Sequence, residues 1–144
     1  MRLNRSTDYA IRVVLCLAKE ERAISSSKLS KMVGVSPRYL LQIGARLRGA
    51  GLIATTYGPT GGFSLLRAPR EISLYDIIAV MEGHISNKKD PEDRDELAEV
   101  KILNAAYGYV DTVLNDILKS ITIESLLAQS IEKWYLAPCL MTEK

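Results

Sequence analysis

A chain of 144 residues, 47% of them apolar, has enough hydrophobic material for one packed domain with an appended element, and too little for several domains. No apolar run approaches the ~20 residues that a membrane-spanning helix needs. Two cysteines and one histidine exclude a disulfide framework, most metal-site layouts and most Cys–His catalysis.

The net charge of +2 hides an uneven distribution. Residues 1–70 hold twelve Lys/Arg against three Asp/Glu, a balance of +9. Residues 71–144 hold seven against fourteen, a balance of −7, and the two sum to +2. A basic first half beside an acidic second half suggests a part that faces nucleic acid and a part with another task. The N-terminus has no uninterrupted apolar core and no small-residue cleavage site, so no signal peptide is expected and the cytoplasm is the expected compartment.

In chain order, Thr7–Lys19 reads as a helix apolar on most sides, through Ala10, Ile11, Val13, Val14, Leu15 and Leu17, and therefore buried. One of Ser25–Ser27 caps a short helix holding Leu29, Met32 and Val33, and Gly34 ends it. Ser36 caps a second helix with Pro37 in its first turn, core positions at Leu40, Ile43 and Leu47, and Gly49 and Gly51 at its end. Two short helices joined by a glycine-containing turn form a helix-turn-helix unit. Leu52–Tyr57 and Phe63–Arg67 read as strands around the loop GPTGG, and Ser73 caps a helix over LYDIIAVMEG that closes at Gly83.

HISNKKD follows as a polar linker, and Asp90-Pro91-Glu92-Asp93 starts a long helix. Leu97, Val100, Leu103, Tyr107, Val110, Leu114, Ile117 and Ile121 recur at spacings of three and four, close to a heptad seam. From Pro91 to Lys119 that helix would run roughly 40 Å. This is long for a domain of this size, and it reads as a dimerisation helix. Thr122–Ile131 adds a short amphipathic helix, and a tail follows.

The expected fold is mainly α with a small β-hairpin, a winged helix-turn-helix domain plus a long C-terminal dimerisation helix. Residues 1–83 would form the winged domain, 84–90 a linker, 91–131 the dimerisation helix with its short successor, and 132–144 the tail. The second helix of such a unit suits the major groove. Arg38, Gln42 and Arg46 lie on a side away from the core positions, with Tyr39 near the helix start. Gln pairs with adenine N6/N7, and Arg with guanine or a phosphate. Ser36 can offer its hydroxyl and the free backbone amides of the helix N-terminus to a phosphate, with Pro37, which has no N–H, in the first turn. Three glycines and Pro59 within GPTGG exceed what a turn requires. Gly58, Gly61 and Gly62 are read as permitting close approach to the phosphates, with Thr60 as a donor. Arg2 and Arg5 add basic contacts at the N-terminus.

MRLNRSTDYAIRVVLCLA, VSPRYLLQIGARLRGAGLI, YGPTGGFSLLR and ISLYDIIAVMEG occur in this order and spacing. In this the chain resembles the Rrf family of bacterial winged-helix transcriptional regulators, whose members include IscR, NsrR and CymR. The resemblance rests on motifs over Met1–Gly83 and on layout beyond. It implies a homodimer on a pseudo-palindromic operator of double-stranded DNA, most simply a repressor, with the long helix crossing to the partner. Cluster-binding members carry three cysteines just after the EG motif. Here HISNKKDPEDRDELAEVKILN has none, and the expectation is no iron–sulfur cluster and no other cofactor. Many members have Glu before the recognition-helix Gln, where this chain has Leu41. Family wings often carry Arg where this chain has Tyr57, which brings no charge to a minor groove.

The switching signal is less legible. A redox switch through Cys16 or Cys139 is one reading, with Cys16 among apolar residues and Arg5 and Arg12 one to three turns away. A small ligand or a regulatory protein partner are the others. An enzyme is not expected, since no catalytic set appears and GPTGG lacks the Gly-Lys-Ser/Thr of a nucleotide loop. A winged-helix interaction adaptor is the more serious rival to a DNA-binding regulator.

Overall fold

Helix α1 (Arg5–Ala18) is the hub of the structure. It buries Ala10, Val13, Val14 and Leu17 and touches α2 (Ser26–Val33), α3 (Pro37–Gly49), α4 (Leu74–Glu82) and α6 (Ile123–Ala128). The computed structural model describes residues 1–83 and 97–129. The expected linker 84–90 with His84, the helix start at Asp90–Pro91 and the tail 132–144 with Cys139 lie outside the described residues.

The local signals act as their chemistry requires. Ser25 Oγ accepts from the Lys28 N–H at 3.2 Å, and Ser36 Oγ accepts from the Tyr39 N–H at 3.2 Å. Gly34 ends α2 in the left-handed region at φ +82°, which costs glycine nothing. Before α4, Ser73 and Asp76 form a reciprocal box, with Ser73 N–H donating to Asp76 Oδ2 at 2.9 Å and Asp76 N–H to Ser73 Oγ at 3.2 Å.

The hairpin strands are shorter than expected. β1 (Ile53–Thr56) pairs antiparallel with β2 (Gly62–Leu65), in register from Ile53 opposite Leu65 to Thr56 opposite Gly62. Gly62 is therefore the first residue of β2, not part of the loop. The hairpin has a third, one-residue edge: Ile24 N–H donates to Phe63 O at 2.9 Å, and Phe63 N–H returns to Ile24 O at 2.8 Å. Ile24 and Phe63 are both buried, so this pairing seals the hairpin onto the core.

Helix α5 (Ala98–Ser120) contributes a single buried residue, Leu118. Its C-terminal end is anchored. Leu74 N–H donates to Ile121 O at 2.9 Å, Ile123 N–H donates to Ile72 O at 2.8 Å, and Ile123 is fully buried. Helix α6 is shorter than the expected span, starting at Ile123 after the Thr122 cap. The core is thus a helical unit with a hairpin on one side, from which α5 extends for about 35 Å.

Candidate nucleic-acid interface

Helix α3 turns Leu40, Ile43, Gly44 and Leu47 inward. Gly44 has a steric task that the sequence pattern did not reveal. A Cβ there would lie 3.0 Å from Cε1 of Phe63, so the missing side chain lets the hairpin ring seat directly on the helix. Outward stand Arg38, Leu41, Gln42, Ala45 and Gly49, all exposed, with Ser36 and Pro37 exposed at the N-terminal end. That surface is long enough, and polar enough at Arg38 and Gln42, to lie in a major groove.

Arg46 departs from the expected row. Its Nη2 donates to the carbonyls of Val80 at 3.0 Å and Met81 at 2.8 Å, in the last turn of α4. Eight residues after Arg38 the helix has turned about 80° past a whole number of turns. Arg46 therefore faces α4, where its cation meets the negative end of that helix. Just beyond, Gly83 turns the chain at φ +77°. On the opposite flank Arg48 Nη1 donates to Thr55 Oγ1 at 3.4 Å and ties the last turn of α3 to β1.

Tyr39 is half-buried and packs edge-to-face on Tyr9, with ring centres 5.9 Å apart. Its first task is therefore to join α3 to α1. Arg12 lies 5.3 Å over the Tyr9 ring and pairs with Asp8 at 2.7 Å. These contacts occupy the cation one turn before Cys16. Cys16 itself is a free thiol, half-buried against the core.

At the hairpin, Tyr57 is 85% exposed and Thr60 is exposed. Two of the three glycines have structural reasons. A Cβ at Gly61 would run into Thr56 O, and one at Gly62 into Ile24 O. They are needed to close the turn and admit the third edge. Both glycines thus have a steric task within the hairpin, beside the approach to DNA expected of them. Gly58, at φ +109° with nothing near it, keeps the freedom first assigned to all three. Arg2 and Arg5 are exposed at the start of α1, whose Asn4 N–H donates to Glu82 Oε1 at 2.9 Å.

Along α5, Leu97, Val100, Leu103, Tyr107, Val110 and Ile117 are between 37% and 70% exposed, and Leu114 is half-buried. Among the described residues no helix is long and apolar enough to cross a membrane.

A helix-turn-helix with a hairpin seated on its second helix defines a winged-helix DNA-binding protein. Residues 3–129 match the Rrf2 family, described as an iron-dependent transcriptional regulator, and the chain belongs to that family. It is a DNA-binding transcriptional regulator and not an enzyme. It is 31% identical over 131 residues to protein aau3 of Rhizobium meliloti (strain 1021), a match covering 88% of this chain and 85% of that protein. In structure it is similar to CymR (YrzC), the global cysteine regulator of B. subtilis, with a TM-score of 0.73, 29% identity and coverage of 90% of this chain and 98% of that one. It is also similar to T. potens IscR, with a TM-score of 0.70, 27% identity and coverage of 89% and 87%.

The donor set of this chain does not fit a thiolate-held iron cluster. The whole sequence offers two cysteines and one histidine. Cys16 is packed on α1, and among the described residues no three His, Cys, Asp or Glu side chains gather to hold a metal.

Proposed function

We propose that the protein is a homodimeric, sequence-specific repressor that binds a pseudo-palindromic operator without an iron–sulfur cluster. Residues 36–49 would enter the major groove, and the hairpin around 55–67 would lie against the flanking backbone. The observation that carries the dimer is α5: a long helix with an apolar seam, one buried residue and an anchored C-terminal end. Fully burying a side chain such as Leu or Val is worth about 1.5–3 kcal/mol, so a seam of seven favours covering by a second copy. Two copies related by a two-fold axis present two α3 helices, which matches a palindromic site. Repression is the simplest consequence, since an occupied operator excludes other proteins from the same DNA.

Arg38 and Gln42 are the base-reading candidates, with Ser36, Pro37, Arg2, Arg5, Gly58 and Thr60 as the candidates for the backbone. Arg46 braces one flank of the helix against the end of α4. The shortage of cysteines supports the cluster-free reading.

The test is selection of genomic fragments by the purified protein, with light scattering on the same sample. The expected result is a dimer enriching one pseudo-palindrome, with a log–log salt slope of about −0.9 per phosphate contacted. Protein purified without oxygen should be colourless. A monomer, a brown protein, or binding that ignores salt and sequence would each defeat the corresponding part.

A further inference from the structure

The outward face of α3 carries two side chains that this reading leaves without a task. Leu41 is 53% exposed, and Ala45 is exposed one turn further on. Both lie on the side of Arg38 and Gln42, away from buried Leu40 and Ile43. A single exposed leucine is ordinary on a protein surface. An i, i+4 apolar pair beside the one amide on a groove-facing helix is a shaped contact. In the major groove the apolar group within reach of such a pair is the C5-methyl of a pyrimidine. Thymine carries it in unmodified DNA, and 5-methylcytosine carries the same group in the same place.

We propose that Leu41 and Ala45 read pyrimidine C5-methyl groups next to the base contacted by Gln42, and so set part of the operator sequence. The proposal rests on α3 being the groove-reading helix. Geometry supports it in two ways. Leu41 lies between the outward face and the flank where Gly44 seats Phe63 and Arg48 ties to Thr55, so its backbone is held from the hairpin side. Ala45 stands three residues after Gln42, on the same face of the helix. An amide that pairs with adenine thus has the Ala45 methyl beside it, and Leu41 one turn before Ala45, for the methyl of a nearby thymine.

The experiment uses the full chain and duplexes selected from a random library. The selected operator is remade with deoxyuridine at every thymidine, which removes the methyl and keeps the base pairing. A third version of that uracil operator carries 5-methylcytosine in place of cytosine. The wild type should lose about fourfold in affinity per methyl read, hence about fifteenfold over two half-sites. Leu41→Ser with Ala45→Ser, both at exposed positions, should keep the melting temperature within a few degrees and bind the thymine and uracil operators within about twofold of each other. The methyls of the 5-methylcytosine duplex stand at cytosine positions and not where the thymine methyls were, so no recovery is expected, and full recovery would overturn the placement beside the Gln42 contact. Equal wild-type affinity for thymine and uracil operators overturns the proposal while leaving DNA binding intact. A library that yields no enriched duplex overturns the DNA-reading function and this contact with it.

Discussion

Helices α3 and α5 are both amphipathic, yet the chain finishes only one of them. The apolar face of α3 is closed by α1, α2, α4 and the hairpin, and its outward face is left to polar and small side chains and to Leu41. The seam of α5 is left open along most of its length, with Leu118 alone buried. The first pattern belongs to an element whose position must be set before a ligand arrives. The second is the pattern that the proposed homodimer calls for, a seam to be covered by a second copy. The difference separates residues that hold the reader in place from residues that assemble it.

The largest effect should come from α5. Leu103→Glu with Val110→Glu places two carboxylates in the seam, where burial would be costly. The protein should become monomeric by light scattering and lose about a hundredfold or more in operator affinity, while the melting of the helical core changes little. An unchanged dimer would mean that α5 is covered by something else.

Next comes the hairpin. Gly62→Val drives a branched side chain into the carbonyl of Ile24 and should cost about 3 kcal/mol in chemical denaturation. Gly58→Ala meets no atom and adds only the backbone penalty of about 1–2 kcal/mol. If the two cost the same, the third edge at Ile24 does not hold the hairpin.

Arg46 and Arg38 sharpen the comparison within α3 itself. Arg46→Ala removes the cation at the end of α4 and should cost about 1 kcal/mol of stability, with the salt slope of DNA binding unchanged. Arg38→Ala should leave stability within about 0.5 kcal/mol and lower the salt slope by about 0.9 or relax the operator at one base pair. A reversed pattern would return Arg46 to the DNA.

The smallest effect is at the wing tip. Tyr57→Arg adds a cation at an exposed position and should tighten binding severalfold, with a salt slope steeper by about 0.9. No change would place the hairpin away from the DNA.

Most of the fold was legible because its signals are local. Ser25, Ser36 and Ser73 cap helices through hydrogen bonds to amides three residues on, and Gly34 ends one by its own φ. The α5 seam was readable for the same reason, since a heptad repeats along one chain. The site was legible only in part. Arg38 and Gln42 face outward as their spacing implies, but Arg46 looked equivalent in sequence and is not. Tyr39 looked like a groove contact and is packed on Tyr9. Glycine-rich GPTGG signalled backbone freedom correctly, but not that two of its glycines answer to Thr56 and Ile24.

By itself the sequence determined which elements form, the caps at Ser25, Ser36 and Ser73 and the two amphipathic stripes, because each depends on neighbours within a turn or two of chain, but not that α5 begins only at Ala98. Only the tertiary structure decided what lies opposite each exposed position. It sent Arg46 to the end of α4, laid Phe63 on Gly44, placed a strand edge at Ile24 and, among the described residues, left most of α5 uncovered. Those outcomes depend on atoms tens of residues apart meeting within a few ångströms, and no local rule encodes that distance.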